Sequence, residues 1–374
     1  GRKEITEAVA KQLEQLDYCQ PFQQGFGGSF ELATRISRHT PGNLNRIFYT
    51  ICGSTAVETA IKIAIAYHRS KGDSKRFRFV GRERGYHGMN IGATTVGGMV
   101  NNVKTFASVL MPGVQHMRHT HLPEHKFVKG QPETGVEMAE DLERIAMNFG
   151  GENIAACIVE PIAGSTGTLI PPKGYLKRLR EICDKHGILL IFDEVITGWG
   201  RTGSAFAAQE WNVTPDIMTM AKATTNGVVP MGVVAVKEEI YDSVLDASSA
   251  PEGTPELFHG YTYSGIPVAV AAALAVQDIF DKENIFKKAK EMSPYFQDGL
   301  HSLKDLKEVV SIRGYGMMGG IEMKMVEKPG KAGFQTFKHC YDAGVNFKNT
   351  GDTLIIAPQF ICEKKHIDEI IEKL

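Results

Sequence analysis

The chain has 374 residues, of which 43% are hydrophobic, 23% are charged and 39 are glycine, a composition typical of a globular protein long enough for two domains. A formal net charge of −1 gives no electrostatic reason to expect binding to nucleic acid or to an anionic membrane, and no run of 18 apolar residues predicts a membrane span. The six cysteines are scattered without a CxxC pair, which favours buried thiols in a reducing compartment over disulfides or a zinc site. We therefore expect a cytoplasmic protein.

The first residues already show a helical pattern. Ile5, Val9 and Leu13 recur at helical spacing, which predicts an amphipathic helix. The chain begins at Gly1, without a methionine, directly before this pattern. This start is typical of a fragment from which an N-terminal segment, including any targeting peptide, has been removed.

A candidate phosphate site follows the first predicted strand, Arg46–Thr50. The sequence GSTAVE (residues 53–58) then opens a strongly periodic helix, and Thr55 and Glu58 have the spacing of a capping box. The start of a helix offers backbone N–H groups and the positive end of the helix dipole, which together suit a phosphate. Most globular proteins contain such a helix start, so this signal is weak by itself.

The second predicted strand, Phe77–Val80, leads to the sequence GYHG (residues 85–88). An aromatic residue between glycines is, by itself, typical of a turn with a packed ring. Residues 94–129 are predicted to be irregular. Four histidines lie in this region at spacings that could suit a metal, but no predicted strand or helix frames them, so we expect no metal site. These histidines are His116, His119, His121 and His125.

The middle of the chain has a strand, helix and strand rhythm that predicts a parallel sheet. The apolar run Ile154–Val159 ends at Glu160, an amphipathic helix spans residues 174–186, and the apolar run Ile188–Phe192 ends at Asp193. Continuous apolar runs are typical of strands that are buried on both faces. We therefore expect Glu160 and Asp193 at the same, carboxyl edge of the sheet, where open α/β folds bind ligands.

Two carboxylates follow the second of these strands. Because successive side chains of a strand point to opposite faces, only one of Asp193 and Glu194 can face a given ligand, and we expect the other to be structural. Glu160 has two interpretations of equal weight: a residue that supports the site, or an acid in water at the end of a strand.

Lys222 ends another short apolar run, Ile217–Ala221. Burial at the end of a strand would lower the pKa of this lysine and favour the neutral amine that Schiff-base chemistry needs. The alternative is a lysine whose ammonium group reaches solvent. Downstream, residues 232–236 predict a strand and residues 244–257 predict a loop.

The C-terminal part of the chain predicts a separate unit. From Asn284 the sequence becomes more charged, and helical patterns alternate with the short strands Val309–Ile312, Met318–Met323 and Leu354–Ile356. We therefore predict a large domain over residues 1–283 and a smaller α+β domain over residues 284–374.

Several short sequences occur in an order that resembles one family. GSTA, GYHG, VEP, DEV, PDI, AK and HGYTYS follow one another along the chain, and this series is similar to that of the class III aminotransferases, which depend on pyridoxal 5'-phosphate. The resemblance covers essentially the whole chain. It implies an α/β protein of fold type I, with a mostly parallel seven-stranded sheet flanked by helices and a smaller C-terminal α+β domain.

The resemblance also implies roles for particular residues. Lys222 would form the Schiff base with the cofactor, and Asp193 would pair with its pyridine nitrogen. Tyr86 and Val195 would flank the ring, and Thr262 would reach the phosphate in the neighbouring subunit of a homodimer, or of a tetramer with shared active sites. The other implied cofactor-binding residues are Gly53, Ser54, Thr55, His87, Glu160 and Tyr261.

Within the family, the chain is more similar to the omega-amino acid:pyruvate branch, which includes enzymes that act on β-alanine. Ile196 stands where enzymes of ornithine or 4-aminobutyrate typically have glutamine. The expected substrate-binding residues are Tyr86 and Lys348, and Lys348 replaces the usual arginine of this branch, so it keeps the charge without the bidentate fork. This implies ping-pong transfer to a 2-oxo acid such as pyruvate from a donor that could be β-alanine, taurine or a plain amine.

Two other functional classes were compared with this one. Residues 198–203 spell GxGxxG, a pattern found in nicotinamide-dependent oxidoreductases, but the pattern does not lead directly from a strand into a helix as a dinucleotide site requires. A protein that keeps the fold for binding without catalysis is the other alternative. The presence of both Asp193 and Lys222 argues against it.

Overall fold

The computed structural model describes residues 1–248 and 257–374. Within these ranges the helices are α1 Lys3–Gln15, α2 Gly27–Ser37, α3 Gly53–Ser70, α4 Ile91–Val96, α5 Val100–Thr105, α6 Glu140–Phe149, α7 Tyr175–His186, α8 Ala207–Glu210, α9 Glu238–Asp246, α10 Pro267–Glu283, α11 Ile285–His301, α12 Lys331–Asp342 and α13 Lys364–Lys373.

The larger sheet has seven strands among the described residues, in the spatial order β1-β7-β6-β5-β4-β2-β3. Strand β7 pairs antiparallel with both of its neighbours, and the other pairs in this sheet are parallel. The strands are β1 Arg46–Thr50, β2 Arg78–Arg82, β3 Val114–Met117, β4 Ile154–Val159, β5 Leu189–Asp193, β6 Ile217–Met220 and β7 Gly232–Val236.

Two hydrophobic clusters cover the two faces of the larger sheet. Leu190 and Phe192 of β5 pack into the cluster that includes α7, whereas Leu189 and Ile191 pack into the cluster that includes α3. All residues of β4 and β5 are buried. The prediction that these apolar runs form strands buried on both faces is therefore confirmed.

The smaller sheet is antiparallel, with the order β10-β11-β9-β8. Its strands are β8 Val309–Tyr315, β9 Met318–Met323, β10 Lys348–Thr350 and β11 Thr353–Ile356. A third hydrophobic cluster joins this sheet to α11 and α13. The sequence did not predict β10, because three polar residues carry no alternating pattern. The division at residues 283 and 284 stays a prediction.

Two other predictions about secondary structure were wrong in part. The region predicted to be irregular, residues 94–129, contains the end of α4, α5 and β3. Tertiary packing determines α4, because five of its six residues are buried although their intrinsic helix propensity is low. Of the loop predicted over residues 244–257, residues 244–246 belong to α9, and residues 249–256 lie outside the described part of the chain.

The capping box of α3 lies one turn before the predicted position. The N-cap is Cys52, whose backbone N–H donates to Oγ1 of Thr55 over 3.0 Å. Thr55 therefore closes the first turn instead of opening it. Glu58 accepts a hydrogen bond from the backbone N–H of Ala93 and so links α3 to α4.

The structure also bears on cysteines and membranes. Cys157, Cys183 and Cys340 are buried free thiols, as predicted, but Cys19, Cys52 and Cys362 are free thiols that are partly exposed. Among the described residues, every helix is too short or too polar to span a bilayer.

Asp216 joins several elements at the edge of the larger sheet where β5 and β6 begin. One oxygen of its buried carboxylate accepts hydrogen bonds from Arg180 of α7 and from the backbone N–H of Leu190, each over 2.7 Å. The other oxygen lies 2.7 Å from Nζ of Lys237, just after β7. One carboxylate thus holds three strands and a helix in register at the edge opposite the strand ends that carry Glu160 and Asp193.

We expect Asp216→Ala to lower the free energy of unfolding by about 3 kcal/mol or more, because it removes the buried partner of Arg180, Lys237 and the N–H of Leu190. The two cations then keep only the exposed carboxylates of Asp184 and Glu239. Asp278→Ala is the matched control, since Asp278 also pairs with an arginine but has 49% of its side chain exposed, and it should cost no more than about 1 kcal/mol. Urea denaturation measures both values. Equal losses in the two variants would contradict this role of Asp216.

Candidate active site

The carboxyl ends of β4, β5 and β6 surround one cavity of about 280 Å³. The wall is completed by the start of α3 and the two residues before it, the loop that follows β2, and the segment between Lys222 and β7. Of the residues that the sequence singled out, eight line this cavity: Gly53, Ser54, Tyr86, His87, Glu160, Asp193, Val195 and Lys222. The parallel arrangement brings them together from positions almost 170 residues apart, because parallel strands end at a common edge.

Asp193 is buried and has a partner for each carboxylate oxygen. Oδ2 accepts a hydrogen bond from Nδ1 of His87 over 2.8 Å, and Oδ1 accepts one from the backbone N–H of Val195 over 3.1 Å. Since a carboxylate only accepts, His87 carries a proton on Nδ1. Nε2 of His87 is buried and has no partner among the described residues.

Glu194 points to the other face of the sheet, as the alternation along a strand predicts. Its carboxylate accepts hydrogen bonds from the backbone N–H groups of Ala207 and Ala208 and from Oγ1 of Thr197. Complete burial raises the pKa of Glu194 to about 7, although these three hydrogen bonds oppose the shift. Of the two adjacent acids, Asp193 is thus the one that faces the cavity and Glu194 is structural.

Lys222 has a strained backbone and a desolvated side chain. Its φ of 44° lies in the left-handed region, which costs a non-glycine residue on the order of 1 kcal/mol. The carbonyl of Lys222 accepts a hydrogen bond from the N–H of Gly227, which closes the turn after β6. Burial lowers the pKa of the ammonium group, while the negative charges of Asp193 and Glu160 act in the opposite direction.

Glu160 holds two loops, of which the Tyr86 loop lines the cavity. Oε1 accepts a hydrogen bond from the backbone N–H of Tyr86, and Oε2 accepts one from the backbone N–H of Gly164, both over 2.9 Å. Burial raises the pKa of this carboxyl, while the charge of His87 acts against the rise. Glu160 is therefore a buried, hydrogen-bonded acid and not a strand-end carboxylate in water.

The N-terminus of α3 approaches the cavity closely because two glycines allow it. A Cβ atom on Gly53 would lie 3.1 Å from Cγ1 of Val195. Gly88 has a φ of 114°, and a Cβ atom there would lie 2.6 Å from Cα of Ser54. Beside it, Oγ of Ser54 accepts a hydrogen bond from the N–H of Met89. The start of an 18-residue helix, with the positive end of its dipole, thus forms one end of the cavity.

Four residues from the sequence prediction lie outside this lining. Thr55 is buried in the first turn of α3, and Tyr261 packs edge-on against His259. Thr262 is exposed, and its carbonyl accepts a hydrogen bond from Oη of Tyr18. Lys348 is exposed on β10, but its positive charge contributes to the lowered pKa of Lys222.

The cavity also has lining residues to which the sequence analysis assigned no role in the site. These include Cys52, Ile196, Thr225 and Met231. Thr225 lies three residues after Lys222, in a stretch of small and polar residues typical of a turn, so its place near the lysine could have been inferred. No pattern in the sequence indicates that Cys52 faces the cavity.

Two of the four histidines that the sequence analysis considered for a metal make structural contacts. Nε2 of His116 bonds to the carbonyl of Gly97 over 2.8 Å, and Nε2 of His125 bonds to the carbonyl of Thr134 over 3.0 Å. Within the described ranges, no three His, Cys, Asp or Glu side chains are grouped so that they could hold a metal ion. The GxGxxG segment is also in structural use, because Arg201 donates to the carbonyls of Met317 and Pro358 in the C-terminal part of the chain.

Comparison with known proteins identifies the family. The class III aminotransferase family matches residues 2–374. The chain belongs to the class III aminotransferases. It is 49% identical to an omega-aminotransferase of Caulobacter vibrioides over all of this chain and 84% of that protein. It is 45% identical to the omega-amino acid–pyruvate aminotransferase of Pseudomonas putida over 99% of this chain and 83% of that protein.

Solved structures confirm the fold. The omega transaminase of Pseudomonas jessenii in complex with PMP superimposes with a TM-score of 0.93 at 28% identity, over all of this chain and 83% of that one. This aminotransferase therefore has the fold type I architecture that its sequence implied. The predictions of a class III aminotransferase and of an enzyme are confirmed, and the nicotinamide-dependent and non-catalytic alternatives are set aside.

Pyridoxal 5'-phosphate is the cofactor of this family, and the cavity fits it. The N-terminus of α3 suits the phosphate of the cofactor. The buried carboxylate of Asp193 suits its protonated ring nitrogen, and the desolvated amine of Lys222 suits its aldehyde. Any side chain at position 53 would fill the narrow space between α3 and Val195, so glycine keeps this part of the cavity open.

The raised pKa of Glu194 predicts a pH-dependent stability. Between its ordinary value of 4.5 and about 7, the folded protein keeps a proton that the unfolded chain releases, so stability falls as pH rises through this window. The loss amounts to roughly 3 kcal/mol. Because Glu194→Gln does not titrate, the wild type should lose stability relative to this variant between pH 5 and 7, as measured by urea denaturation. A difference that does not change with pH would contradict the prediction.

Proposed function

We propose that this aminotransferase moves the amino group of an omega-amino acid such as β-alanine to pyruvate by a ping-pong mechanism. Two relatives that are 45% and 44% identical to the chain are named as aminotransferases of omega-amino acid and pyruvate and of β-alanine and pyruvate. The observation that carries the proposal is the desolvated Lys222, which lies in one cavity with two buried carboxylates and the N-terminus of α3. We place the protein in the cytoplasm.

The bound cofactor supplies an aldehyde that takes up the amino group and a protonated ring that accepts the electron pair released at the donor carbon. Gly53 and Ser54, at the start of α3, would hold the phosphate. Asp193 keeps the ring nitrogen protonated, and the hydrogen bonds from His87 and Val195 fix the orientation of this carboxylate. Tyr86 and Val195 flank the ring.

Lys222 is the catalytic residue of this proposal. It would hold the cofactor before the donor arrives, and afterwards its free amine would remove a proton from the donor carbon and deliver it to C4' of the cofactor, first as a base and then as an acid. The lowered pKa supports this role, because a larger fraction of the amine is neutral at a given pH. Donor and acceptor use the same lysine in turn, and this alternation is the basis of ping-pong kinetics.

The active assembly that we propose is a homodimer with shared active sites, either alone or as half of a tetramer. Thr262 would bind the cofactor phosphate of the neighbouring subunit, with Tyr261 beside it. The exposure of Thr262 and of the adjacent Tyr263 supports this assembly, as does the hydrogen bond from Tyr18 that anchors the Thr262 backbone.

We propose that Lys348 binds the acidic group of the donor. The charged residues that line the cavity are Glu160, Asp193 and Lys222, so a donor carboxylate needs another cation. Lys348 is close enough to lower the pKa of Lys222, and no ion pair of Lys348 is found among the described residues. A lysine is a point charge that suits a carboxylate and a sulfonate equally, which keeps taurine as an alternative donor.

Replacing Lys222 tests the catalytic assignment. Lys222→Ala should lower the rate of amino transfer from β-alanine to pyruvate by about 10³-fold or more, because no other amine of the described residues lines the cavity to carry the proton. Lys307→Ala is the control, since 90% of the Lys307 side chain is exposed. Alanine formation from pyruvate measures the rate. Turnover of Lys222→Ala at the wild-type rate would refute the assignment.

Replacing Lys348 tests the donor. Lys348→Met should lower the apparent affinity for β-alanine by about tenfold, the value of one charge-assisted hydrogen bond, and should leave the affinity for 1-phenylethylamine nearly unchanged. Lys348→Arg should bind β-alanine at least as well as the wild type. The half-reaction without an acceptor, followed by cofactor absorbance, measures each donor separately. Equal effects of Lys348→Met on both donors would exclude a role of Lys348 in carboxylate binding.

A further inference from the structure

Glu160 connects two loops at the carboxyl edge of the larger sheet through its side chain alone. One carboxylate oxygen accepts the N–H of Tyr86, in the loop after β2, and the other accepts the N–H of Gly164, in the loop after β4. The side chain is almost completely buried, with 3% of the residue exposed. Both oxygens are thus occupied by backbone donors of the protein.

The Gly164 side of this connection determines where Ile196 lies. A Cβ atom on Gly164 would lie 2.7 Å from Cδ1 and 3.1 Å from Cγ2 of Ile196, so this backbone is in close contact with the Ile196 side chain. Ile196 and its neighbour Val195 line the cavity on one side, and Tyr86 lines it as well. A shift of Gly164 would therefore move the Ile196 wall.

The backbone of Glu160 is fixed independently. Its carbonyl accepts a hydrogen bond from Arg82, the last residue of β2, over 2.7 Å. Glu160 itself follows β4, which pairs with β2. The carboxylate therefore extends from a rigid point of the sheet to two loops that have no regular secondary structure of their own at Tyr86 and Gly164.

We propose that Glu160 is a positioning residue that sets the width of the slot for the cofactor ring, by holding the Tyr86 loop and the Gly164 loop at a fixed separation. The inference rests on the proposed function, in which Tyr86 and Val195 flank the ring. Glu160 acts through these two loops and needs no contact with the cofactor. Two directional hydrogen bonds from backbone N–H groups to one carboxyl group suit this task.

The test compares Glu160→Gln with Glu194→Gln in the protein freed of cofactor. Both residues are buried acids at strand ends, and each accepts two backbone N–H groups, so the second variant is a matched control. Glutamine keeps one acceptor and turns an NH₂ group toward the other N–H. In Glu160→Gln, hydrogen exchange at the amides of Tyr86 and Gly164 should become about tenfold faster, and in Glu194→Gln it should stay unchanged there.

The second measurement is the affinity for pyridoxal phosphate by equilibrium dialysis. Glu160→Gln should bind it about tenfold more weakly, and Glu194→Gln should bind it as the wild type does. Unchanged amide exchange in Glu160→Gln would overturn the proposal, and faster exchange with unchanged affinity would show that the two loops do not set the ring slot. Because exchange is measured without cofactor, either result is distinct from a failure of the proposed function, which Lys222→Ala detects.

A second variant keeps the proposal testable if Glu160→Gln does not fold. Gly164→Ala leaves the carboxylate intact and forces the Gly164 loop and the Ile196 side chain apart, because the added Cβ atom would otherwise lie 2.7 Å from Cδ1 of Ile196. It should weaken pyridoxal phosphate binding by a similar factor. Wild-type affinity in Gly164→Ala would contradict the proposed control of slot width.

Discussion

The carboxyl edge of the larger sheet contains two buried carboxylates, Glu160 and Asp193, and a buried carboxylate requires hydrogen-bond partners. Neither acid obtains them from its own strand. Asp193 recruits His87 and the N–H of Val195, and Glu160 recruits the N–H groups of Tyr86 and Gly164. The desolvation of these two charges thus fixes the loops that form the cavity. The same two charges oppose the loss of the proton from Lys222 that burial favours.

One edge of the larger sheet contains Asp216, which contributes to stability, and the opposite edge contains Glu160 and Asp193 of the candidate active site. Asp216, where β5 and β6 begin, satisfies its charge with a guanidinium, an ammonium and a backbone N–H, and all of these partners belong to regular elements or to their ends. At the opposite edge, the acids bond mainly to loops. A rigid parallel sheet therefore places the acids, and the loops around them provide the surface that a cofactor and a substrate can occupy.

Much of this arrangement could be predicted from the sequence, because the runs that end at Glu160, Asp193 and Lys222 are apolar and the βαβ rhythm fixes their direction. The alternation of a strand separated Asp193 from Glu194 correctly. The sequence could not predict α4 or β10, which are short and depend on tertiary packing rather than on periodicity. Nor could it show that Glu160 bonds to Tyr86 and Gly164, because those contacts link residues that have no common pattern.

The most direct test of the account is the attachment point of the cofactor. The protein saturated with pyridoxal phosphate would be reduced with borohydride, which makes an imine bond to a lysine permanent, and its peptides would be mapped by mass spectrometry. The account predicts one modified residue, Lys222, and no loss of the label when the exposed Lys307 is replaced. A label on another lysine, or on none, would contradict the central role that we give to Lys222 and its buried neighbours.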